Sequence, residues 1–431
     1  MITGTRRALY LAFVSAVGRA PAFLIPILIA GFFGAGRATD AYFIAYSAVL
    51  FLGGTVAQGV EQAIVPFAAR QIELRDGTAR WYLDRAAFGS AAVAAVIWVV
   101  GVPVFSFAAA PDLRPRVLGY GATFTPLALT WCAAAVFGGT LVSQWRIATA
   151  TGSMLWRGLG ALGGIALVPL GAGLWSVALG LGLGELCRLW WLRTSVVGKL
   201  PDGPAARPDL LKPFAHAAVA QVAASAAIVL APVVERLLAA TLGIGAVSHL
   251  EYAMRLLVIP GVLFEGALVP LLLAHWTQQI ATEGRGPSRR EVLGIVAAGL
   301  GLAAIIGVIL AVFAPQLVHL LLAHGRFGQP DEVVVGTLLR LLSIAFVANM
   351  TAQLLERHYL ATTRNRTLAA LSLGRALVRL GVAILLLRRA GLAAIATGFA
   401  VSDWCYVAAL VGLLKPERAM PETPTNSRAH A

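Results

Sequence analysis

The fold class this sequence predicts is an all-α polytopic membrane protein, with about twelve transmembrane helices in two six-helix lobes. Three observations predict it. The 431 residues are 59% hydrophobic and 13% charged, with a mean hydropathy of +0.80; a soluble domain is roughly 45–50% apolar and about 25% charged. The apolar residues gather in runs of bilayer-spanning length, without the period-2 alternation of a transmembrane barrel. Landmarks of the first half also recur in order in the second half.

The elements follow from those runs. The first, residues 9–33, stands behind Arg6 and Arg7. It is too long for a signal-peptide core and lacks a small-x-small cleavage site, so it is expected to stay as a membrane helix. Further spans are expected at 39–69, 86–109, 118–142, 154–170 and 174–191. A polar segment with Pro201, Pro204 and Pro208 then interrupts the pattern. A second set follows at 214–242, 248–276, 292–322, 333–355, 368–387 and 390–414. The expected organisation is an N-terminal lobe over 1–197, a cytoplasmic linker over 198–212, a C-terminal lobe over 213–415 and a disordered cytoplasmic tail over 416–431.

Charge sets the expected orientation. With the N-terminus in the cytoplasm, cytoplasmic segments hold 22 of the 34 Lys and Arg, among them Arg146 and Arg157, against 6 on the opposite side. That bias puts both termini inside. The net charge of +14 is thereby mainly a topology signal, with some attraction to anionic membrane lipids. The arginines form no stripe with interleaved aromatics, which argues against nucleic acid.

The internal repeat is specific. GAGRATDAYFIAY from Gly34 matches GIGAVSHLEYAMR from Gly243, pairing Gly36 with Gly245, Thr39 with Ser248 and Tyr46 with Arg255 at a separation of 209. EQAIVP from Glu61 matches EGALVP from Glu265, and RIATA from Arg146 matches YLATT from Tyr359. Six helices per repeat give both halves the same orientation, a design in which a central site lies between the halves.

Charges inside spans are costly and usually face a cavity or a partner. The in-span arginines are Arg19, Arg236, Arg255, Arg340, Arg375 and Arg379; the acids are Glu61, Glu185, Glu235, Glu251, Glu265 and Asp403, with Asp40 at a span mouth. Glu185 and Arg188, three apart, are expected to pair locally near a headgroup region. Arg19 and Arg255, one in each half, fit a phosphate or pyrophosphate in a shared cavity, because guanidinium forks bind such oxygens bidentately. A plain ion pair of Arg255 with Glu251 is the competing reading. Gly158, Gly160, Gly163 and Gly164 fit close helix packing.

Enzyme chemistry finds no support. GLGLGE around Gly180 sits in an apolar span with no preceding strand, no HExxH occurs, and Cys132, Cys187 and Cys405 are far apart. No cofactor and no metal site are expected.

RAPAFLIPILIAGFFGAGRATDAYFIAY, then GVEQAIVPFAAR, YAMRLLVIPGVLFEGALVPLLL, HGRFGQPDE and LLERHYLATTRNRT occur in that order along the chain. They resemble segments of the MurJ/MviN lipid II flippases of the MOP superfamily. The resemblance implies a MOP/MATE-like fold in the bacterial cytoplasmic (inner) membrane. It also implies alternating-access flipping of a polyprenyl-pyrophosphate-linked glycolipid, with cavity arginines on the pyrophosphate and a role in peptidoglycan biosynthesis beside the cell-wall synthesis machinery. Arg19 and Arg255 stand at family cavity arginines and Asp40 at the family aspartate. Ile25, Pro26, Tyr46 and Ala57 stand where the family carries other charged groups, with Glu61 about one turn after Ala57. Asp40, Glu61, Glu251 and Glu265 are the expected gating or cavity acids. Glu235 stands at an acidic position the family uses for a cation. Arg375 and Arg379 share a helix face opposite it, so Glu235 is expected to pair with Arg379 and to bind no metal ion. The alternatives are an exopolysaccharide or O-antigen unit flippase, a MATE-like drug exporter and a non-transporting scaffold homologue.

Overall fold

The computed structural model describes residues 2–72, 78–197, 211–283, 286–362 and 364–414. The expected linker, apart from its last two residues, and the expected tail lie outside them. Arg19 and Glu265 sit on described helices, but their side chains also lie outside the described part.

The N-terminal half contains α1 (Ile2–Phe33), α2 (Arg37–Leu52), α3 (Gln58–Ile72), α4 (Thr78–Ala108), α5 (Arg114–Ser143), α6 (Ile147–Gly152), α7 (Met154–Ala166) and α8 (Gly173–Val197). The C-terminal half contains α9 (Leu211–Ala240), α10 (Ala246–Glu283), α11 (Arg289–Val312), α12 (Ala314–Leu322), α13 (Gln329–Ala361), α14 (Asn365–Ala390) and α15 (Leu392–Gly412). Among the described residues there is no strand. Nine helical segments there are long and apolar enough to cross a membrane; α8, α9 and α10, at 25, 30 and 38 residues, add length for three more. In lipid no water satisfies backbone N–H and C=O groups, so a chain this apolar must close its hydrogen bonds within helices.

Each expected span is found as a helix or a joined pair. The second span is α2 and α3 connected by a π-helical turn, Gly53–Ala57. That turn lets Trp131 of α5 lie against Gly53, where any Cβ would collide with the indole. The ninth span is broken at Phe313 into α11 and α12, because Pro315 at the start of α12 has no N–H for the ladder.

Two lobes result. In the first, α5 lies against α4 and α8, and α7 against α8; in the second, α13 lies against α10, α11 and α15, and α14 against α15. The α7–α8 crossing is backbone to backbone: a Cβ on Gly160 or Gly164 would strike Gly180, Gly184 or Ser176, and one on Gly184 would strike Trp156 and Arg157. Small residues permit that approach where no water drives helices together. Gly163 faces open space. Large apolar side chains cover the outside, for example Val99 on α4, Ile305 on α11 and Leu385 on α14. That is the inverse of a soluble protein and the pattern lipid demands.

The lobes meet along α1, α2 and α3 on one side and α9 and α10 on the other. At the end of the bundle carrying Gly34 and Gly245 the contact is polar. Near the opposite end it is apolar, with Phe67 of α3 against Phe214 of α9 at 5.6 Å between ring centroids.

Candidate functional site

The polar seam is built by the repeat. Gly34, Gly243 and Gly245 all take positive φ, a region open to glycine at no steric cost. The chain can therefore turn sharply into α2 and α10. Asp40, 1% exposed, reaches across from the first turn of α2 to the N-terminus of α10. Its carboxylate accepts the backbone N–H of Gly245 at 2.5 Å and of Ser248 at 2.9 Å, and the Ser248 hydroxyl at 2.7 Å. Helix N-termini carry unsatisfied N–H groups and partial positive charge, so a carboxylate is the fitting partner. The Ser248 hydroxyl also lies 2.9 Å from that of Thr39. These two residues are equivalent in the repeat, so each sits by the pseudo-twofold axis and meets its own counterpart. Tyr252 donates to the Gly34 carbonyl, and the Arg326 N–H to the Gly31 carbonyl, each at 2.9 Å. His249, next to Ser248, is 2.7 Å from Asp331.

Below this seam lies a cavity of about 260 Å³, walled by the first lobe and touched from the second lobe by Arg255. Residues of α1, α2, α5, α7, α8 and α10 line it, including Ile25, Pro26, Tyr42, Tyr46, Trp131, Arg157 and Arg255. Ile25 and Tyr46, which stand where the family resemblance places arginines, and Pro26, where it places an aspartate, thus face the cavity without charge. Gly18 lines it as well, with Arg19 the next residue of α1.

Arg255 does not stand alone in the wall. Glu251, one turn earlier on α10, accepts from its Nε and Nη2, both at 2.9 Å. The other oxygen of Glu251 accepts from Arg236 of α9, from Nε at 2.9 Å and Nη2 at 2.7 Å. Arg255 is therefore ion-paired and also faces the cavity. Its side chain stays 31% exposed while those of Glu251 and Arg236 are 2% and 7%.

The first lobe holds a second such cluster, which corrects two expectations. Glu185 does pair with Arg188, at 2.6 Å, but not near a headgroup region: the Glu185 side chain is completely buried. Its other oxygen accepts from Arg157 Nε at 2.6 Å. Arg157, expected in a cytoplasmic segment, instead stands on α7 with its guanidinium over Trp131, 3.9 Å from the ring centroid. The glycine-faced α7–α8 crossing brings Arg157 onto Glu185. The legible signal was a lone arginine and a lone glutamate inside two successive apolar runs.

Of the remaining expected acids, Glu61 on α3 is exposed and interacts with Arg188 through space. It is brought to neither the seam nor the cavity wall. Glu235 of α9, 1% exposed, receives both Nε and Nη2 of Arg379 from α14, and the same guanidinium lies over the ring of Phe399. Arg375, one turn away, pairs with Asp403 of α15 at 2.7 Å. Among the described residues no group of three or more His, Cys, Asp or Glu is placed to hold a metal ion.

Comparison with known proteins agrees with this architecture. The family model of the lipid II flippase MurJ matches residues 29–426. No curated protein matches in sequence. Among solved structures, a lipid II flippase MurJ in an inward closed conformation is similar with a TM-score of 0.80 at 14% identity, covering 94% of this chain and 87% of that one. An inward-facing multidrug resistance MATE transporter of the MOP superfamily follows, with a TM-score of 0.73 at 16% identity, covering 94% and 96%. A MOP superfamily transporter from Pyrococcus furiosus, described as having a binding pocket of reverse polarity, reaches 0.66 at 16% identity, covering 94% and 93%.

Proposed function

The chain belongs to the MurJ family of lipid II flippases, and we propose that it moves a polyprenyl-pyrophosphate-linked saccharide of the lipid II type across the bacterial cytoplasmic membrane by alternating access. It is a transporter and not an enzyme: it forms and breaks no covalent bond in its substrate, and it needs no cofactor. Both termini lie in the cytoplasm, so the end carrying Gly34 and Gly245 faces outward. A place beside the cell-wall synthesis machinery follows from the substrate.

One observation carries the reading. Arg255 of the second lobe stands partly exposed on a cavity walled by the first, and the lobes are latched to each other on one side of that cavity through Asp40. A guanidinium in an apolar chamber is suited to phosphate oxygens, because the low dielectric strengthens a charge-assisted bond. The seam is the outer gate. Its bonds are few, polar and directional, so they form or break as a set, which is what a two-state gate requires. Rocking the lobes about the pseudo-twofold axis would open the seam and expose the cavity to the other side.

Energy coupling takes a form set by Arg379. Its guanidinium occupies the carboxylate of Glu235, so a tethered cation stands where a free metal ion would otherwise bind.

The test is translocation in proteoliposomes. Purified protein is reconstituted with a fluorescent lipid II, and outward movement is read by quenching from one side. Wild-type protein should flip the lipid, and Arg255→Ala should slow it about tenfold to a hundredfold, the loss of one charge-assisted bidentate contact. Absence of flipping by the wild type, or full activity of Arg255→Ala, overturns the reading.

A further inference from the structure

The segment HGRFGQPDE, from His324 to Glu332, makes a second contact across the outer seam. The turn between α12 and α13 rests on the end of α1. There the Arg326 N–H donates to the Gly31 carbonyl at 2.9 Å. Gly325, at positive φ, leaves room for that carbonyl, which a Cβ would strike. Phe327 of the same turn meets Tyr252 of α10 edge-on, 5.7 Å between ring centroids. Asp331, in the first turn of α13, accepts the Gly328 N–H on one oxygen at 3.1 Å and meets Nε2 of His249 on the other at 2.7 Å. His249 follows Ser248, whose N–H and hydroxyl hold Asp40. One imidazole thus joins the Asp40 latch to the turn seated on α1.

The bond to Asp331 fixes which nitrogen can titrate. An ionised carboxylate only accepts, so Nε2 of His249 carries a hydrogen. Nδ1 is left as the atom that gains or loses a proton, and histidine does so between about pH 5 and 8. The side chain is 13% exposed, at the outer end of the bundle. Two carboxylates face it, one from each lobe: Asp331 by direct contact and Asp40 through space. The other charged groups around it are engaged or in water. Glu251, on the same helix, is held by Arg236 and Arg255. Glu332 pairs with His319 of α12, and Arg37 of α2 with Asp112. His324 and Arg326 of the turn are exposed, and the Tyr252 hydroxyl donates to the Gly34 carbonyl. With a neutral imidazole, closing the seam brings Asp40 toward Asp331 with no cation between them. With an imidazolium, closing gives the charge a second carboxylate. Opening takes Asp40 away and leaves Asp331, so only the protonated form loses an attraction. Protonation therefore favours the closed seam, and closure in turn favours protonation.

Resting on the alternating-access reading above, we propose that Nδ1 of His249 is a proton site on the outer gate, and that a proton bound there holds the gate shut. The ligand is a proton from the outer aqueous phase. It enters and leaves on that side, so it gates the cycle and does not drive it. An acidic exterior favours reclosing once the cargo has left, and an alkaline exterior favours opening.

The test is pulsed electron spin resonance on the full chain in nanodiscs. Nitroxides are placed at Leu170 and Arg389, exposed at the outer ends of opposite lobes, with the exposed Cys187 and Cys405 changed to serine. A Ser248→Ala background weakens the latch so that both states are populated. From about pH 8 to about pH 5.5 the ratio of short to long distances should rise about fivefold to tenfold, the size of a modest coupling between two sites. His249→Gln keeps a polar partner for Asp331 and should give one ratio at both pH values. His249→Arg carries a fixed charge and should give the acid ratio at both. A purely structural role for His249 would move the two variants in the same direction. His319→Gln changes a pair that lies wholly within the second lobe and should leave the response intact. A response that survives His249→Gln, or that is lost in His319→Gln, overturns the proton site, as does a parent that opens in acid. A parent indifferent to pH that still flips lipid II overturns only this inference. A protein that neither responds to pH nor flips lipid II overturns the flippase reading as well.

Discussion

Replacing Asp40 by Asn should open the outer seam. The change is nearly isosteric, so packing around this buried side chain is preserved. The carboxylate accepts two backbone N–H groups and the Ser248 hydroxyl at the start of α10. Asparagine keeps one acceptor oxygen and turns an NH2 toward groups that are themselves donors. It also removes the negative charge that the N-terminus of α10 favours. Losing a charge-assisted acceptor costs about 1.5–3 kcal/mol, and loss of the helix-terminal charge interaction adds up to ~2 kcal/mol. A net of about 2–4 kcal/mol against the closed seam shifts its population roughly 30- to 1000-fold. Ser248→Ala removes the hydroxyl that meets Asp40 and Thr39 but keeps the carboxylate on the two backbone N–H groups, and should shift it about tenfold or less. The assay is pulsed electron spin resonance between nitroxides at Leu170 and Arg389, both exposed at the seam end of opposite lobes, after the exposed Cys187 and Cys405 are changed to serine. The parent should give a short, narrow distance distribution and Asp40→Asn a longer, broader one, with Ser248→Ala between them. Superimposable distributions for parent and Asp40→Asn, in protein that remains folded, would refute the latch.

Four other outcomes are expected. Glu251→Gln leaves Arg236 and Arg255 without their shared counter-charge and should destabilise the protein by about 3–5 kcal/mol, read by melting in detergent; a change below ~1 kcal/mol would show that the cluster is not held by charge. Glu235→Gln should cost a similar amount, whereas the double change Glu235→Leu with Arg379→Leu should recover most of it, since a buried ion pair is often replaceable by apolar residues. Replacing potassium by sodium should leave the wild-type melting temperature unmoved, and a sodium-specific rise would contradict the tethered cation. Gly184→Ala places a methyl group against the Trp156 carbonyl and the Arg157 backbone; it should cost about 1–3 kcal/mol, read by melting in detergent, and an unchanged melting temperature would contradict the close helix crossing.

The membrane class, the spans and the repeat were legible along the chain, because lipid imposes a length and a composition on each helix that no partner helix has to supply. The repeat even marked the seam: Thr39 and Ser248 align at one separation and then touch. Arg255 could be read as a charge that must face something, and its possible partner Glu251 stood one turn away on the same helix. Arg236 was legible as a buried charge, but its bond to Glu251 from another helix was not.

Arg157 was misread for a related reason. A single arginine near the beginning of a span looks like the last residue of a loop when only hydropathy is counted. Its environment depends on α7 approaching α8 within backbone contact, and that approach depends on glycines of two helices meeting at matching heights. Sequence alone thus determined that the chain crosses the membrane many times in two related halves and must bury several arginines. Only the tertiary structure decided which carboxylate each of those arginines meets and which of them, Arg157 and Arg255, also line the cavity. Burial of an ion is settled by groups that converge from different helices, and hydropathy along a single helix does not carry that information.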